Sequence, residues 1–406
     1  MHPDKASVLT INGGSSSIKF AVFDVSRSPL LILSGKLEGL GRESARLTIK
    51  ISGEDTVSAG AVEAPDYASA VSVLMGWLQK QVNLDALIAI GHRIVHGGPD
   101  HAQPELITAA LLSRLRALQP LDPEHLPGEI QLIEAFQKAL PRLKQIACFD
   151  TEFHRDMPKL AKMLAIPRHY FETGVWRYGF HGLSYRYLMQ ALHQQAGETA
   201  AMGKVILAHL GNGASMAAVR EGKCVDTSMG LTPAAGLVMG TRSGDIDPGL
   251  CSLLARTENM TATQFDYMIN HQSGLLGLSE TSSDMQELLA KSTKDQRAAD
   301  AVALFCYQAR KQVGAYAAVL GGLDSLIFSG GIGENAAAVR LRICEGLEFL
   351  GITLDETKNL ANAAVISTSQ SRVQVRVIPT DEESMIAQFV CDVLNQKDNG
   401  DKQADD

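Results

Sequence analysis

The chain has 406 residues, of which 45% are hydrophobic and 20% charged, a composition typical of a globular protein large enough for two cores. The formal net charge of −8 argues against general nucleic-acid binding, because that function needs a basic face. No apolar run reaches the roughly 18 residues of a membrane span, no signal-peptide pattern opens the chain, and the six scattered cysteines lack zinc spacing. We therefore expect a cytoplasmic protein with reduced thiols, no membrane contact and no nucleic-acid partner.

The first half of the chain begins with predicted strands and continues with strands that alternate with helices. Apolar runs and period-two alternation predict strands over residues 8–11, 18–23, 30–37, 45–51, 86–90 and 145–149. Apolar residues at helical spacing predict helices over 67–80, 105–118 and 127–139. Asp150 would then follow a buried strand at its carboxyl end, the edge of an α/β sheet where ligands gather.

The second half repeats this alternation. Strands are predicted over 205–208, 215–220, 325–328 and 375–378. Helices are predicted from residue 185, over 299–320, after a glycine loop at 329–335, and from about residue 383 to 394. The polar residues 396–406 are typical of a disordered tail. Strands that alternate with helices in both halves predict an α/β fold.

A glycine-rich turn at 211–213 joins the predicted strands 205–208 and 215–220. Glycines between two strands let the backbone turn tightly and approach an anion, so a phosphate is a candidate ligand. Asn-Gly is also the commonest dipeptide of a tight hairpin turn, so a plain β-hairpin is the alternative interpretation. The turn alone does not decide between the two.

A second turn of the same kind, residues 12–17, joins two strands near the start of the chain. Gly14 corresponds there to Gly213, and Ser16 to Ser215. One turn of this kind is a weak signal. Two related turns, one in each half, predict a duplicated domain whose halves face each other across a cleft.

Seven stretches of the sequence, in the same order, resemble the acetate kinase family of acetate, propionate and butyrate kinases. They are NGGSSSIK at 12–19, GHRIVHGG at 91–98, FDTEFH at 149–154, YGFHG at 178–182, HLGNGAS at 209–215, GTRSGD at 240–245 and GGIGEN at 330–335. The resemblance covers residues 8 to about 393. It implies two duplicated α/β domains of the ribonuclease H-like superfold of actin, hexokinase and Hsp70 ATPases, with a central cleft.

The resemblance implies domain limits and an activity. Residues 1–150 with 384–406 would form the N-terminal domain, to which the last helix returns, and 151–383 the nucleotide-binding domain. Members transfer a phosphoryl group reversibly between ATP and a short carboxylate such as acetate, giving ADP and an acyl phosphate. They use Mg²⁺, with Mn²⁺ as an alternative, and they are homodimers. Domain closure would exclude water during the direct in-line transfer.

Transfer to a carboxylate needs no base, because the acceptor is already an anion. It needs two anions held in line and positive charge on the transferring oxygens. The resemblance assigns these catalytic tasks to Arg93, Asp150, His181 and Arg242. Arg93 would bind the carboxylate, Arg242 the phosphoryl group, and His181 would donate a hydrogen bond to that group.

The same resemblance assigns three binding sets. The substrate pocket would comprise Arg93, Val95, His125, Phe180 and Pro233. The metal would be held by Asn12, Asp150 and Glu382. The nucleotide would contact Lys19, His209, Leu210, Gly211, Asn212, Gly213, Asp284, Gly331, Ile332, Gly333, Glu334 and Asn335.

Two departures from the family pattern leave alternatives open. Glu124 stands where many members carry an apolar residue, and a carboxylate against an alkyl group is costly, so a propionate or butyrate kinase is an alternative. Residues 282–286 read SSDMQ in place of the usual NDFR, which leaves the nucleotide preference open. A non-metabolic ATPase switch on the same superfold is a further alternative. It would have no need of the second anion site that Arg93 and Arg242 suggest.

Overall fold

The computed structural model describes residues 6–14, 17–41, 44–54 and 57–404, with side chains in those ranges except at 57, 58 and 397–404. Ser15 and Ser16, which belong to the first predicted glycine turn, lie outside the described residues. The chain forms two compact units, Met1–Glu152 with Asp381–Asp406, and Phe153–Thr380. These limits lie close to the predicted domain boundaries after residues 150 and 383.

The first unit is built on an eight-stranded mixed sheet. Its strands are β1 (Ser7–Gly13), β2 (Ser17–Asp24), β3 (Leu30–Glu38), β4 (Ala45–Ile51), β5 (Val57–Val62), β6 (Leu87–Ile94), β7 (Glu105–Leu106) and β8 (Lys144–Phe149). Its helices before residue 152 are α1 (Tyr67–Gln81), α2 (Ala109–Leu118) and α3 (Leu126–Ala139). The strand order is β5-β4-β3-β2-β1-β6-β8-β7.

The second unit carries a five-stranded mixed sheet and most of the helices. The strands are β9 (Lys204–Leu210), β10 (Ala214–Arg220), β11 (Lys223–Thr227), β12 (Ser325–Ser329) and β13 (Gln374–Val377). The helices are α4 (Lys159–Lys162), α5 (Arg168–Glu172), α6 (Gly182–Ala196), α7 (Glu198–Ala201), α8 (Gly249–Thr257), α9 (Ala262–His271), α10 (Gly274–Ser279), α11 (Met285–Lys291), α12 (Gln296–Leu320), α13 (Gly330–Asn335), α14 (Ala337–Cys344) and α15 (Glu356–Leu360). The chain then ends in α16 (Glu382–Ala404), which belongs to the first unit.

The two sheets share one central topology. In the first unit β1 pairs antiparallel with β2 and parallel with β6, β2 pairs antiparallel with β3, and β6 pairs parallel with β8. In the second unit β9 pairs antiparallel with β10 and parallel with β12, β10 pairs antiparallel with β11, and β12 pairs parallel with β13. The glycine-rich turns join the corresponding strands, so the prediction of a duplicated α/β fold is confirmed.

Helices cover the centre of the first sheet, and β1 is buried along its whole length. Leu9 and Ile11 belong to the core cluster beneath α1 and α3. Ala21 and Phe23 of β2 pack with Ala387 of α16 in a separate cluster. Central strands buried in this way read as continuous apolar runs, which is why β1 and β6 could be predicted from the sequence.

Several sequence expectations about local structure were wrong. The helix expected over 105–118 begins at Ala109, because Glu105–Leu106 pair with β8 and the Thr108 side chain caps α2 by accepting from the Leu111 N–H. Residues 330–335 were expected as a loop and form α13. The helices between residues 249 and 291 and the strands β5 and β11 were not predicted.

The C-terminal helix is longer than expected. It continues to Ala404, so the predicted disorder from residue 396 is wrong over its first nine residues. Once a helix is nucleated, each further residue adds one hydrogen bond, which allows the helix to continue into this polar segment.

The cysteines agree with the expectation of reduced thiols. All six are free, and four of them are buried. Cys251 and Cys391 are half-buried. Among the described helices, none is both long and apolar enough to cross a lipid bilayer.

At Gly91 of β6, α16 packs closely on the first sheet. A Cβ at this position would lie 2.4 Å from Ile386 Cγ2 and 2.7 Å from Val390 Cγ2, and both neighbours are β-branched and stiff. We expect Gly91→Ala to destabilise the protein by about 1–3 kcal/mol through overpacking, measured as a lower urea midpoint. The matched control is Gly76→Ala in α1, where the added methyl meets nothing within 4 Å and should stabilise by up to about 1 kcal/mol. Equal midpoints for the two variants would contradict this packing.

Candidate active site

Arg93 and Asp150 form an ion pair at the carboxyl ends of the neighbouring parallel strands β6 and β8. Arg93 Nη2 donates to Asp150 Oδ2 over 2.6 Å, and Arg93 Nε donates to the same oxygen over 3.0 Å. The Asp150 side chain is fully buried, whereas that of Arg93 is 17% exposed. Parallel pairing sets Ile94 opposite Phe149, so the sheet register itself brings the two charged residues together.

Asn12 of β1 links this pair to the start of α16. Its Oδ1 accepts from Arg93 Nη1 over 3.0 Å, and its Nδ2 donates to Glu382 Oε2 over 2.9 Å and to Glu383 Oε1 over 3.2 Å. The amide oxygen of Asn12 therefore contacts the guanidinium of Arg93, and the amide nitrogen contacts the two carboxylates. The structure thus brings the predicted metal residues Asn12, Asp150 and Glu382 together with the predicted catalytic Arg93.

The donor set of this cluster suits a hard cation, because it offers amide and carboxylate oxygens. Among the described residues, no group of three or more His, Cys, Asp or Glu side chains is arranged as a metal site. Burial alone lowers the pKa of the Arg93 guanidinium, but the charges of Asp150 and Glu382 outweigh it and raise that pKa above its usual value.

A second acidic group lies next to Arg93. Both carboxylate oxygens of Glu129 in α3 accept from the Val95 N–H, over 3.1 and 3.2 Å. Burial raises the pKa of Glu129 well above its usual value and the charge of Asp122 adds to this, while Arg93 and the Val95 N–H work against it. The predicted substrate residue His125 places its Nδ1 2.8 Å from Asp122 Oδ1.

Glu129 and Asp122 were missed by sequence reasoning. Glu129 lies between Leu126 and Ile130, on the buried face of α3. An acidic residue at such a position is unusual, since a carboxyl group is rarely fully buried without a partner. This feature could have identified Glu129 as a candidate site residue.

Lys19 lies on β2 opposite Asn12 in the antiparallel register, with an exposed side chain. Burial raises the pKa of Glu383 and the charge of Glu382 adds to this, while Lys19 counteracts it. By its position in the chain Lys19 belongs to the first unit, whereas every other predicted nucleotide-binding residue belongs to the second.

His181 begins α6 with a left-handed backbone, at φ 59°. Its Nδ1 lies 2.9 Å from Ser215 Oγ, which also hydrogen-bonds the Tyr185 hydroxyl. If Tyr185 donates to Ser215 and Ser215 donates to Nδ1, the ring carries its hydrogen on Nε2. A Cβ placed on Gly213 would lie 3.3 Å from that nitrogen, so Nε2 faces the glycine turn. Such a tautomer can donate to an anion held at the turn.

His209 lies near the end of β9, directly before the glycine turn, and contacts the ring of His181. Its Nδ1 lies 2.8 Å from Ser184 Oγ, and that hydroxyl lies 2.8 Å from Thr380 Oγ1. The rings of His209 and His181 contact each other in a tilted arrangement, with centroids 4.3 Å apart and an interplanar angle of 30°. The nucleotide contact of His209 stays a prediction.

A pocket of about 690 Å³ opens beside the glycine turn, within the size range of small-molecule sites. Predicted nucleotide residues that line it are Gly211, Asn212, Asp284, Gly331, Ile332 and Asn335. Predicted residues that are not part of its lining are His209, Leu210, Gly213, Gly333 and Glu334. Lining residues that were not predicted are Ser283, Met285, Gln286, Leu289 and Ala336. The signal that could have found three of these is the segment 282–286, where the sequence departs from the family pattern.

Two predicted nucleotide-binding carboxylates, Asp284 in the pocket lining and Glu334 next to a lining residue, accept hydrogen bonds from backbone N–H groups. Asp284 Oδ1 accepts from the N–H groups of Gln286 and Glu287 over 2.8 and 3.0 Å, which caps α11. Glu334 Oε1 accepts from the N–H of Gly330 over 2.9 Å and from that of Thr380 over 3.2 Å. These carboxylates therefore fix the backbone of the pocket wall.

Arg242 lies in a loop whose backbone is fixed. The Met239 N–H donates to the Arg242 carbonyl over 3.1 Å, and the Leu276 N–H donates to the Gly240 carbonyl over 2.9 Å. The Gly240 N–H donates to the Asn212 carbonyl over 2.9 Å, and a Cβ at Gly240 would lie 2.1 Å from Asn212 Oδ1. The loop that carries Arg242 is thus tied directly to the glycine turn.

The expected alkyl pocket does not form within either unit. Val95, Phe180 and Pro233 are all buried. Val95 belongs to the first unit, and Phe180 and Pro233 belong to the second. The alkyl pocket therefore stays a prediction.

Comparisons with known proteins agree over nearly the whole chain. The model of the Acetokinase family matches residues 7–388. The chain is 42% identical over 388 residues to an acetate kinase of Rhodopseudomonas palustris, covering 94% of this chain and 97% of the relative. It is 43% identical over 405 residues to an acetate kinase of Methylocella silvestris, covering 96% and 98%.

Solved structures give the same result. The acetate kinase of Porphyromonas gingivalis has a TM-score of 0.87 at 36% identity, covering 96% of this chain and 100% of that one. A propionate kinase from Francisella tularensis has a TM-score of 0.89 at 37% identity, covering 95% and 98%. Both likenesses extend over both units.

The buried carboxyl of Glu129 should make stability depend on pH. Below the pKa of the unfolded chain the group is protonated in both states, and between that value and the raised folded pKa only the unfolded chain gives up its proton. Stability should therefore fall as the pH rises through this window, and Glu129→Gln should abolish that part of the fall. We expect the urea midpoint of the variant to exceed that of the unmodified protein by more at about pH 9 than at about pH 5.

The matched control for this measurement is Glu134→Gln, because Glu134 lies on the same helix with an exposed side chain. Its ion pair with Arg116 is exposed and contributes little to stability. An equal change in both variants across the pH range would contradict the assignment to Glu129.

Proposed function

The chain belongs to the acetate kinase family, and from this premise we propose that it transfers a phosphoryl group reversibly from ATP to acetate, giving ADP and acetyl phosphate. The observation that carries the proposal is the state of Arg93. A guanidinium has five N–H bonds, and three of those of Arg93 are used by Asp150 and Asn12. The hydrogen bonds among the described residues leave two N–H bonds of this partly exposed, permanently charged group for an incoming carboxylate.

The second unit supplies the proposed nucleotide site. Its pocket offers the turn residues Gly211 and Asn212 on one side and Gly331, Ile332 and Asn335 on the other. Glycines let backbone N–H groups approach a phosphate closely. We place the adenosine along the wall formed by residues 283–286, where this chain differs from its family.

The acceptor carboxylate is the nucleophile, and no proton has to be removed from it. Arg93 orients the carboxylate, and Arg242 and the Nε2 hydrogen of His181 stabilise charge on the phosphoryl oxygens. Asn12, Asp150 and Glu382 would hold Mg²⁺, or alternatively Mn²⁺, whose charge lowers the repulsion between the phosphates and the carboxylate. Asp150 meanwhile keeps Arg93 in place through its two hydrogen bonds.

We also propose that the protein acts as a homodimer in the cytoplasm. None of the described side chains of α8 and α9 is buried, and Leu253 and Tyr267 on these helices are 47% and 56% exposed. Neighbouring exposed apolar residues of this kind favour an interaction surface. The six free cysteines suit a reducing compartment.

The choice of acceptor can be tested with acetate, propionate and butyrate in parallel. The assay uses ATP and Mg²⁺ and traps the acyl phosphate with hydroxylamine. We expect kcat/KM to be highest for acetate by about tenfold, equivalent to about 1.4 kcal/mol of transition-state discrimination. A higher value for propionate or butyrate would assign the alternative acceptor, and ATP hydrolysis without any acyl phosphate would point to the ATPase switch.

The role of Arg242 is tested by Arg242→Ala. Because the loop is held by backbone hydrogen bonds, the variant should keep its urea midpoint. We expect kcat to fall by a factor of about 10² or more, since a charge that acts on the transition state is lost. Arg220→Ala is the control, because Arg220 is an exposed arginine at the end of β10 and should retain full activity. Near-normal turnover of Arg242→Ala would contradict the assigned role.

A further inference from the structure

We propose that His154 is a positioning residue for His181, holding its backbone through the Phe180 carbonyl and its ring through Tyr185 and Ser215. The catalytic meaning of this proposal rests on the proposed function. His154 is the last residue of the motif at 149–154 and is not among the residues proposed to act in phosphoryl transfer. It lies in the second unit, as do all the residues that it would position.

The hydrogen bond of His154 fixes its tautomer. Its Nε2 lies 3.0 Å from the Phe180 carbonyl oxygen, which can only accept, so Nε2 carries the hydrogen. Burial lowers the pKa of His154 to about 4, and the ring is therefore neutral near pH 7. Its Nδ1 lies 3.2 Å from Cys224 Sγ, and this thiol also lies 3.3 Å from the Asp226 carbonyl oxygen. A neutral, buried ring of this kind is suited to holding backbone and unsuited to exchanging protons with a substrate.

The backbone that His154 holds is one that needs support. His181 is not glycine, yet its φ is 59°, a left-handed conformation that is unfavourable for a residue with a Cβ. Gly179 has φ +76°, and a Cβ there would lie 2.7 Å from the His154 ring. The segment therefore passes over His154 in close contact, and the hydrogen bond to Phe180 fixes the residue between the two left-handed positions.

The opposite side of this segment is also held. Arg177 Nη1 donates to the carbonyls of Thr227, Ser228 and Met229 over 2.9, 3.1 and 3.1 Å. The Tyr178 N–H donates to the Gly230 carbonyl over 3.0 Å. These bonds fix residues 177 and 178. The contact with His154 extends the support to residue 180, directly before the catalytic side chain.

A second connection runs through the side chains. The rings of His154 and Tyr185 meet edge to face, with centroids 5.7 Å apart and an interplanar angle of 86°. Tyr185 hydrogen-bonds Ser215, and Ser215 hydrogen-bonds His181 Nδ1. One buried ring thus supports both the backbone and the orientation of His181. The two connections converge on the direction in which Nε2 of His181 points.

The matched test variants are His154→Gln and His154→Asn. Both carry a neutral amide, but only the glutamine nitrogen can reach the position of Nε2 and donate to the Phe180 carbonyl. We expect the asparagine variant to lose about tenfold or more in kcat, with the KM values for ATP and acetate changed by less than about twofold. The glutamine variant should recover most of the loss. Equal kcat losses in both variants, or losses that fall mainly on KM, would overturn the proposal.

A double variant separates positioning from general damage. In a His181→Ala background the two His154 substitutions should have no further effect on the residual kcat, because they act through His181. A further loss of the same size in that background would overturn the proposal.

A measurement without turnover completes the test. Nitrogen NMR of the full-length, histidine-labelled protein should show His154 as the neutral Nε2–H tautomer. It should also show the His181 ring signals shifted in the asparagine variant and restored in the glutamine variant. A His181 signal that is unchanged in both variants would overturn the positioning role. If the unmodified protein made no acyl phosphate from any carboxylate, the proposed function would fail, while this spectrum would still decide the role of His154.

Discussion

Removing a guanidinium from water is costly unless its charge is matched, and this constraint determines the arrangement of the first unit. Arg93 is matched by Asp150, which the parallel pairing of β6 and β8 delivers to the same sheet edge. Asn12 of β1 accepts a hydrogen bond from Arg93 Nη1 and donates one to Glu382. The ends of three adjacent strands and the start of α16 therefore meet around one positive charge.

The second unit repeats the central strand order, but different groups surround its glycine turn. Beside its turn at 211–213, the rings of His181 and His209 are held by neutral groups, namely the hydroxyls of Ser215 and Ser184, and Ser215 in turn contacts the Tyr185 hydroxyl. The left-handed His181 shows that local strain is accepted to aim one ring. Duplication has thus given two similar frameworks whose sites have diverged, one toward a fixed ion pair and one toward a fixed turn.

Much of the fold was accessible from the sequence, because buried parallel strands read as apolar runs and the glycine turns mark where they end. The duplicated α/β fold and the family were both confirmed by the structure and by the comparisons. What could not be read depends on tertiary contact. Whether Asp284 contacts a ligand or caps a helix depends on the position of α11, and Glu129 acquires its shifted pKa only when α3 is packed. Residues 330–335 show no helical periodicity, and α13 is short enough for its surroundings to decide its conformation.

The return of α16 to the first unit has a consequence for biosynthesis. All of Phe153–Thr380 lies between the parts of the chain that make up the first unit, so that unit cannot be completed until the residues after Thr380 have left the ribosome. Until then the sheet face around Gly91, which Ile386 and Val390 cover in the finished protein, is an uncovered apolar surface. The second unit has no such dependence and can fold while synthesis continues. The second unit can therefore be completed before the first, although the first unit begins earlier in the chain.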